Sequence, residues 1–121
     1  MKRQILSWTT SAGGAATVIG EAVFGKLYAI EYRPGTTATG ATVTITCEGD
    51  SSKPLLTKAT AGTANVWFYP RDLVHAVVDG AALTGTAGGD RDQPIMHGKP
   101  KVVISAGGDT LSGSAIIYYE E

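Results

Sequence analysis

Along most of the chain, apolar and polar residues alternate with a period of two, and clusters of Gly, Pro, Asp and Thr interrupt the alternation roughly every dozen residues. That rhythm predicts short strands joined by turns. ATVTITCEG is the cleanest case: Val43, Ile45 and Cys47 fall on one face, and Thr42, Thr44, Thr46 and Glu48 on the other. It predicts a strand with one wet face. GKLYAIEYRPG places Tyr28, Ile30 and Tyr32 on one face and Leu27, Ala29, Glu31 and Arg33 on the opposite one, and RPG then supplies turn chemistry. A hairpin from this strand to the Thr-rich one is the expected connection.

NVWFYPRDLVHAVV reads two ways. Pro70 followed by Arg71 and Asp72 fits the first turn of a helix. The aromatic and β-branched enrichment favours two strand segments kinked at Pro70, whose missing N–H is tolerated on a sheet edge. KVVISA and SAIIYYE flank GGDTLSG and are expected to form a final hairpin with that loop as its tip. QILSWTT and ATVIGEAVFGKL supply one or two strands more. The fold class expected is therefore all-β: an antiparallel β-sandwich or jelly-roll-like barrel of about seven to nine strands, with residues 1–121 as a single domain.

Composition narrows the picture. A chain of 121 residues buries roughly 65% of its unfolded surface and needs no cross-links. Only 17% of residues are charged, and the net charge of −1 is spread without runs, so specific nucleic-acid binding and attachment to an anionic membrane are not expected. No stretch approaches the roughly 20 apolar residues of a membrane helix, and MKRQILSWTT lacks the apolar run of a signal peptide. Synthesis in a reducing cytoplasm is expected. Cys47 is the single cysteine, which rules out an intrachain disulfide and reads as a small buried side chain.

Candidate chemistry is sparse. AGG occurs three times, but GGDTLSG has no Lys, no following helix and an Asp that would repel phosphate, so backbone freedom explains it better than a nucleotide. His75 and His97 have no nucleophile signature beside them. Asp90 and Asp92 alternate as hard oxygen ligands do, but Arg91 between them favours a solvated loop. Neither catalytic residues nor a cofactor or metal is expected. Trp8, Trp67, Tyr69 and Tyr118 are the aromatic candidates for stacking on a sugar. Alternation puts Tyr118 and Tyr119 on opposite faces, which leaves one as an interface anchor. The candidate interface set is Trp8, Tyr118 and Tyr119 with the loop residues Asp90, Arg91, Gly107, Gly108 and Asp109, both loops being expected to be mobile until they meet a neighbour.

Three stretches carry a family likeness: YAIEYRPGTTATGATVTIT (28–46), LLTKATAGTANVWFYPR (55–71) with DGAAL after it, and PIMHGKPKVVISAGGDTLSGSAIIYY (94–119). In them the chain resembles small all-β virion structural proteins, of the head decoration or cement kind, encoded by tailed bacteriophages. The resemblance implies a non-enzymatic protein on the capsid surface, made in the host cytoplasm, that bridges major capsid subunits and commonly forms a homo-oligomer, a trimer above all. It supplies no catalytic residue; Tyr69, Pro70 and Arg71 look fold-determining, with Arg71 pairing to an acidic neighbour. A head–tail joining or tail-tube subunit is the alternative within the virion, and a carbohydrate- or receptor-binding module the alternative outside it.

Overall fold

The computed structural model describes residues 1–49, 52–73 and 91–121. They form ten strands: β1 (Lys2–Thr9), β2 (Ala16–Ile19), β3 (Val23–Arg33), β4 (Thr42–Glu48), β5 (Ser52–Lys58), β6 (Val66–Phe68), β7 (Asp72–Leu73), β8 (Arg91–Asp92), β9 (Ile95–Ser105) and β10 (Ser112–Glu120). Eight make one antiparallel sheet in the order β1, β10, β3, β9, β4, β5, with β6 added to β3 and β2 to β9, while β7 and β8 form a separate ribbon. The expected all-β, sandwich-like class is the class observed.

Two long strands fold the sheet over on itself. The first residues of β3, Val23–Lys26, pair with Ile95–Gly98 of β9. Beyond that joint β3 continues against β10 and β6, while β9 continues against β4 and β2. One layer is thus β1, β10, β3 and β6, and the other β2, β9, β4 and β5. Glycines permit the corner: a Cβ on Gly98, whose φ is +135°, would collide with the Glu48 carbonyl, and one on Gly25 with the Glu120 carbonyl. The inner faces share a single core, with Leu6, Trp8, Leu27, Ile30, Tyr32 and Ile117 on one side and Val43, Ile45, Leu55, Val102 and Ile104 on the other. Each such side chain contributes about 1.5–3 kcal/mol by leaving water.

The Thr-rich strand behaves as its pattern predicts, burying Val43, Ile45 and Cys47. Two predicted hairpins do not form. β3 and β4 never pair, and neither do β9 and β10; in each case the connecting residues cross from one layer to the other. Sequence adjacency cannot distinguish a hairpin from a crossing between layers, because both need only a turn. The predicted faces of β3 also hold only in part. Tyr119 lies opposite Leu27 and Tyr118 opposite Ala29, so Tyr28 is an extra residue, a bulge. After it the phase shifts: Leu27, Ile30 and Tyr32 point into the core, while Tyr28 turns outward. The kink at Pro70 is present, with β6 before it and β7 after it; residues 74–78 of that predicted strand lie outside the described residues.

Tyr32 stacks on Trp8 with ring centroids 6.0 Å apart. Its hydroxyl is buried and has no hydrogen-bond partner among the described residues. Burial also raises its pKa above the ordinary 10.0. The unfolded chain therefore releases this proton near pH 10 while the folded chain holds it, so the neutral form's stability is whole below pH 10 and declines above it. Tyr32→Phe is expected to increase the unfolding free energy in urea titrations by about 1 kcal/mol and to flatten its fall above pH 10; a less stable variant with an unchanged alkaline slope would contradict this.

Candidate functional site

The outer face of the first layer carries an aromatic row. By register Tyr118 faces Ala29, Ile116 faces Glu31 and Ser114 faces Arg33, and on the other side of β3 Glu31 lies opposite Trp67 of β6. Ala29 and Ile116 are buried but do not belong to the main core, so they form a small apolar floor on the outside of the sheet. Over it Tyr118 and Trp67 pack ring against ring at 5.0 Å, Trp67 and Tyr69 at 6.5 Å, and Tyr28 meets Tyr69 edge-on at 6.2 Å. Trp67 of β6 and Tyr69, just beyond its end, reach one face because they are two residues apart. Tyr28 reaches it through the bulge. Trp67 and Tyr69 remain 45% and 54% exposed.

Charged groups fix the row. Glu31 is 5% exposed, accepts a hydrogen bond from the Tyr118 hydroxyl at 3.5 Å and pairs with the Arg33 guanidinium at 3.0 Å. That carboxylate raises the pKa of the exposed Arg33 further. Among the described residues Arg71, expected to pair with an acidic neighbour, donates to the carbonyls of Tyr28 and Pro70 at 3.0 and 2.7 Å and lies 5.9 Å from the centre of the Tyr28 ring. It ties the segment after β6 to the bulge on β3. The rings are held in place by stacking, a buried carboxylate and an arginine clamp, an arrangement that presents a rigid apolar ridge with arginines at its margin.

Trp8 is not part of this surface. It is 3% exposed, and its indole N–H donates to the Thr37 hydroxyl at 3.1 Å inside the sandwich, so its place as an interface or sugar-stacking residue is corrected. Tyr119 points into the core opposite Leu27, and Tyr118 joins the row. Arg91 and Asp92 are exposed on β8, and Asp90 and His75 lie outside the described residues. His97 is exposed and meets the Phe24 ring edge-on at 5.0 Å. Cys47 is buried, accepts the His97 backbone N–H at 3.2 Å, and has its thiol pKa raised by burial, so it lacks the thiolate character of a nucleophile. Among the described residues no three His, Cys, Asp or Glu side chains converge, and no helix is long and apolar enough to cross a membrane.

The loop with Gly107, Gly108 and Asp109 does not project as a free hairpin tip. Gly107 is buried, donates its N–H to the Gly14 carbonyl and accepts one from Ala38 N–H, both at 2.9 Å. The Thr10 hydroxyl donates to the Gly108 carbonyl at 2.6 Å and accepts the Leu111 N–H at 2.8 Å. Two of the three AGG strings thus meet, and they do so backbone to backbone. Asp109 stays exposed and accepts a bond from the neighbouring Thr110 hydroxyl. A Cβ on Gly14 would lie 3.0 Å from Gly107 N, on a backbone with φ +82°, whereas one on Gly40 would meet nothing within 4 Å. Gly14→Ala is therefore expected to lower the unfolding free energy by about 1–3 kcal/mol and Gly40→Ala to leave it within about 0.5 kcal/mol, as read by thermal and urea melts; equal effects would contradict the packed-loop account.

No protein-family model, curated protein or solved structure matches this chain.

Proposed function

We propose that the chain is a non-enzymatic structural protein of a tailed-phage virion, a decoration protein that attaches to the major capsid protein through the aromatic row. The observation that supports attachment by this face is the self-stacked set of Tyr118, Trp67, Tyr69 and Tyr28. Large rings fixed before binding lose little side-chain entropy on contact, and Tyr, Trp and Arg are the side chains that dominate protein interfaces. The phage assignment itself rests on the sequence resemblance.

The way the rings pack favours a protein over a sugar. Sugar stacking needs an open ring face. Here Trp67 is flanked by Tyr118 and Tyr69, Tyr69 is met by Tyr28, and Arg71 lies over Tyr28. Mutual stacking takes up ring face that a sugar would need, and the exposed parts of Trp67 and Tyr69 suit another protein's apolar surface. Each site need not bind tightly, because many copies on a closed shell act together and hold adjacent capsid subunits against internal pressure. The head–tail joining alternative differs in copy number, about a dozen against hundreds, which is read directly from virion stoichiometry.

The test uses heads assembled from the major capsid protein with and without this chain. Heads carrying it should release DNA at a higher temperature than bare heads. Trp67→Ala with Tyr69→Ala should remain folded, since both side chains lie outside the core, yet fail to sediment with the heads. Loss of one such anchor is worth about 2 kcal/mol, or roughly 30-fold in affinity per site. Heads equally stable with and without the chain would overturn the decoration reading, and full binding by the double variant would overturn the assignment of the face.

A further inference from the structure

An edge of the sandwich points to a second interaction, independent of the aromatic row. Exposed sheet edges are templates for pairing, and proteins blunt them with short strands, prolines or bulges. Among the described residues, three of the four edges of the eight-stranded sheet are blunted. β6 and β2 are three and four residues long. β5 contains Pro54 and a register shift that makes Leu55 an extra residue. β1 differs: it is eight residues long, without proline or bulge, and among the described residues pairs with β10 alone.

The direction of its free groups follows from the register. Thr10 N–H donates to the Leu111 carbonyl, continuing the pairing in which Thr9 lies opposite Ser112. Antiparallel alternation then turns the backbone groups of Leu6 and Trp8 toward β10, and those of Arg3, Ile5, Ser7 and Thr9 away from it. The outward set has no backbone partner among the described residues. Ile5 is 55% exposed, and a groove of about 420 Å³ between Gln4, Ile5 and Leu6 on β1 and Val18 and Ile19 on β2 opens along this edge. At the groove's end the Gln4 side-chain amide donates to the Glu21 carbonyl at 2.9 Å and accepts the Glu21 N–H at 3.0 Å, doing the work of a strand neighbour.

We infer that β1 pairs antiparallel with β1 of a second copy about a two-fold axis at Ile5, joining two first layers into one continuous sheet. The strand is self-complementary in this register. Ile5 meets Ile5, and Arg3 meets Ser7, so outward-facing backbone groups meet outward-facing groups and no like charges lie opposite each other. An isologous pair of this kind closes at two chains.

Light scattering of the purified chain should give twice the chain mass at high concentration. In hydrogen exchange the Arg3, Ile5, Ser7 and Thr9 amides should slow by about tenfold or more as the dimer fills. Ser7→Pro removes an N–H that the β10 ladder does not use, and should give a folded monomer. Ile5→Lys should also be monomeric, because it sets two lysines face to face, and mixing it with Ile5→Glu should restore a mixed dimer. A wild-type monomer at about 1 mM, a mass of three chains, or a dimer that survives both Ser7→Pro and Ile5→Lys would overturn the inference. None of these results bears on the aromatic row, whose test is capsid binding.

Discussion

The pairing of Val23–Lys26 with Ile95–Gly98 is the joint on which the rest of the molecule depends. Among the described residues it is the one place where the two layers share a hydrogen-bonded ladder, and each of its strands runs eleven residues and serves one layer beyond it. A chain with many short strands and modest charge must bury two inner faces against each other, and two strands that turn a common corner set both faces at once. Gly25 and Gly98 are the cost of that corner: other backbone passes where their side chains would be. The core residues from both layers then fall into a single cluster.

Because β3 continues from the joint into the first layer, a single bulge in it has consequences on both faces. Tyr28 is displaced outward, and Ile30 and Tyr32 keep the core filled. Tyr28 thereby reaches Tyr69 and Arg71, which the short edge strand β6 and Pro70 bring in from the side. Glu31, almost wholly buried on the outer face, is tolerable because Arg33 and the Tyr118 hydroxyl satisfy it. Stability and surface are therefore linked: the residue that breaks the alternation of β3 is also the one that completes the aromatic row.

Much of this was legible in the sequence, and the failures have physical causes. Period-two patterning identified the Thr-rich strand with its buried Val43, Ile45 and Cys47, and Pro70 marked an edge and a kink. Strand partners were not legible, because a turn at Pro34–Gly35 or at Gly107–Gly108 serves a crossing between layers as well as a hairpin. A one-residue bulge leaves no mark in an apolar and aromatic run, so Leu27 and Tyr28 were each assigned to the wrong face, while the alternation from Ala29 to Arg33 holds. Trp8, a candidate surface ring by sequence, is buried because Thr37, 29 residues away in a loop, satisfies its N–H inside the sandwich. The aromatic candidates Trp67, Tyr69 and Tyr118 were in view singly; the spacing of Trp67 and Tyr69 signalled a shared face, but only the register of β3 with both neighbours brings in Tyr118 and Tyr28.

We propose this preformed row as the face that meets a partner protein. Hydroxyl-radical footprinting of the chain free and on assembled heads tests it most directly, with the separate exposed pair Phe24 and Ile95 as an internal reference. The account predicts that oxidation of Tyr28, Trp67 and Tyr69 falls several-fold on binding while Phe24 and Ile95 are labelled as before. Unchanged labelling of the three aromatic residues on heads that carry the protein would contradict it.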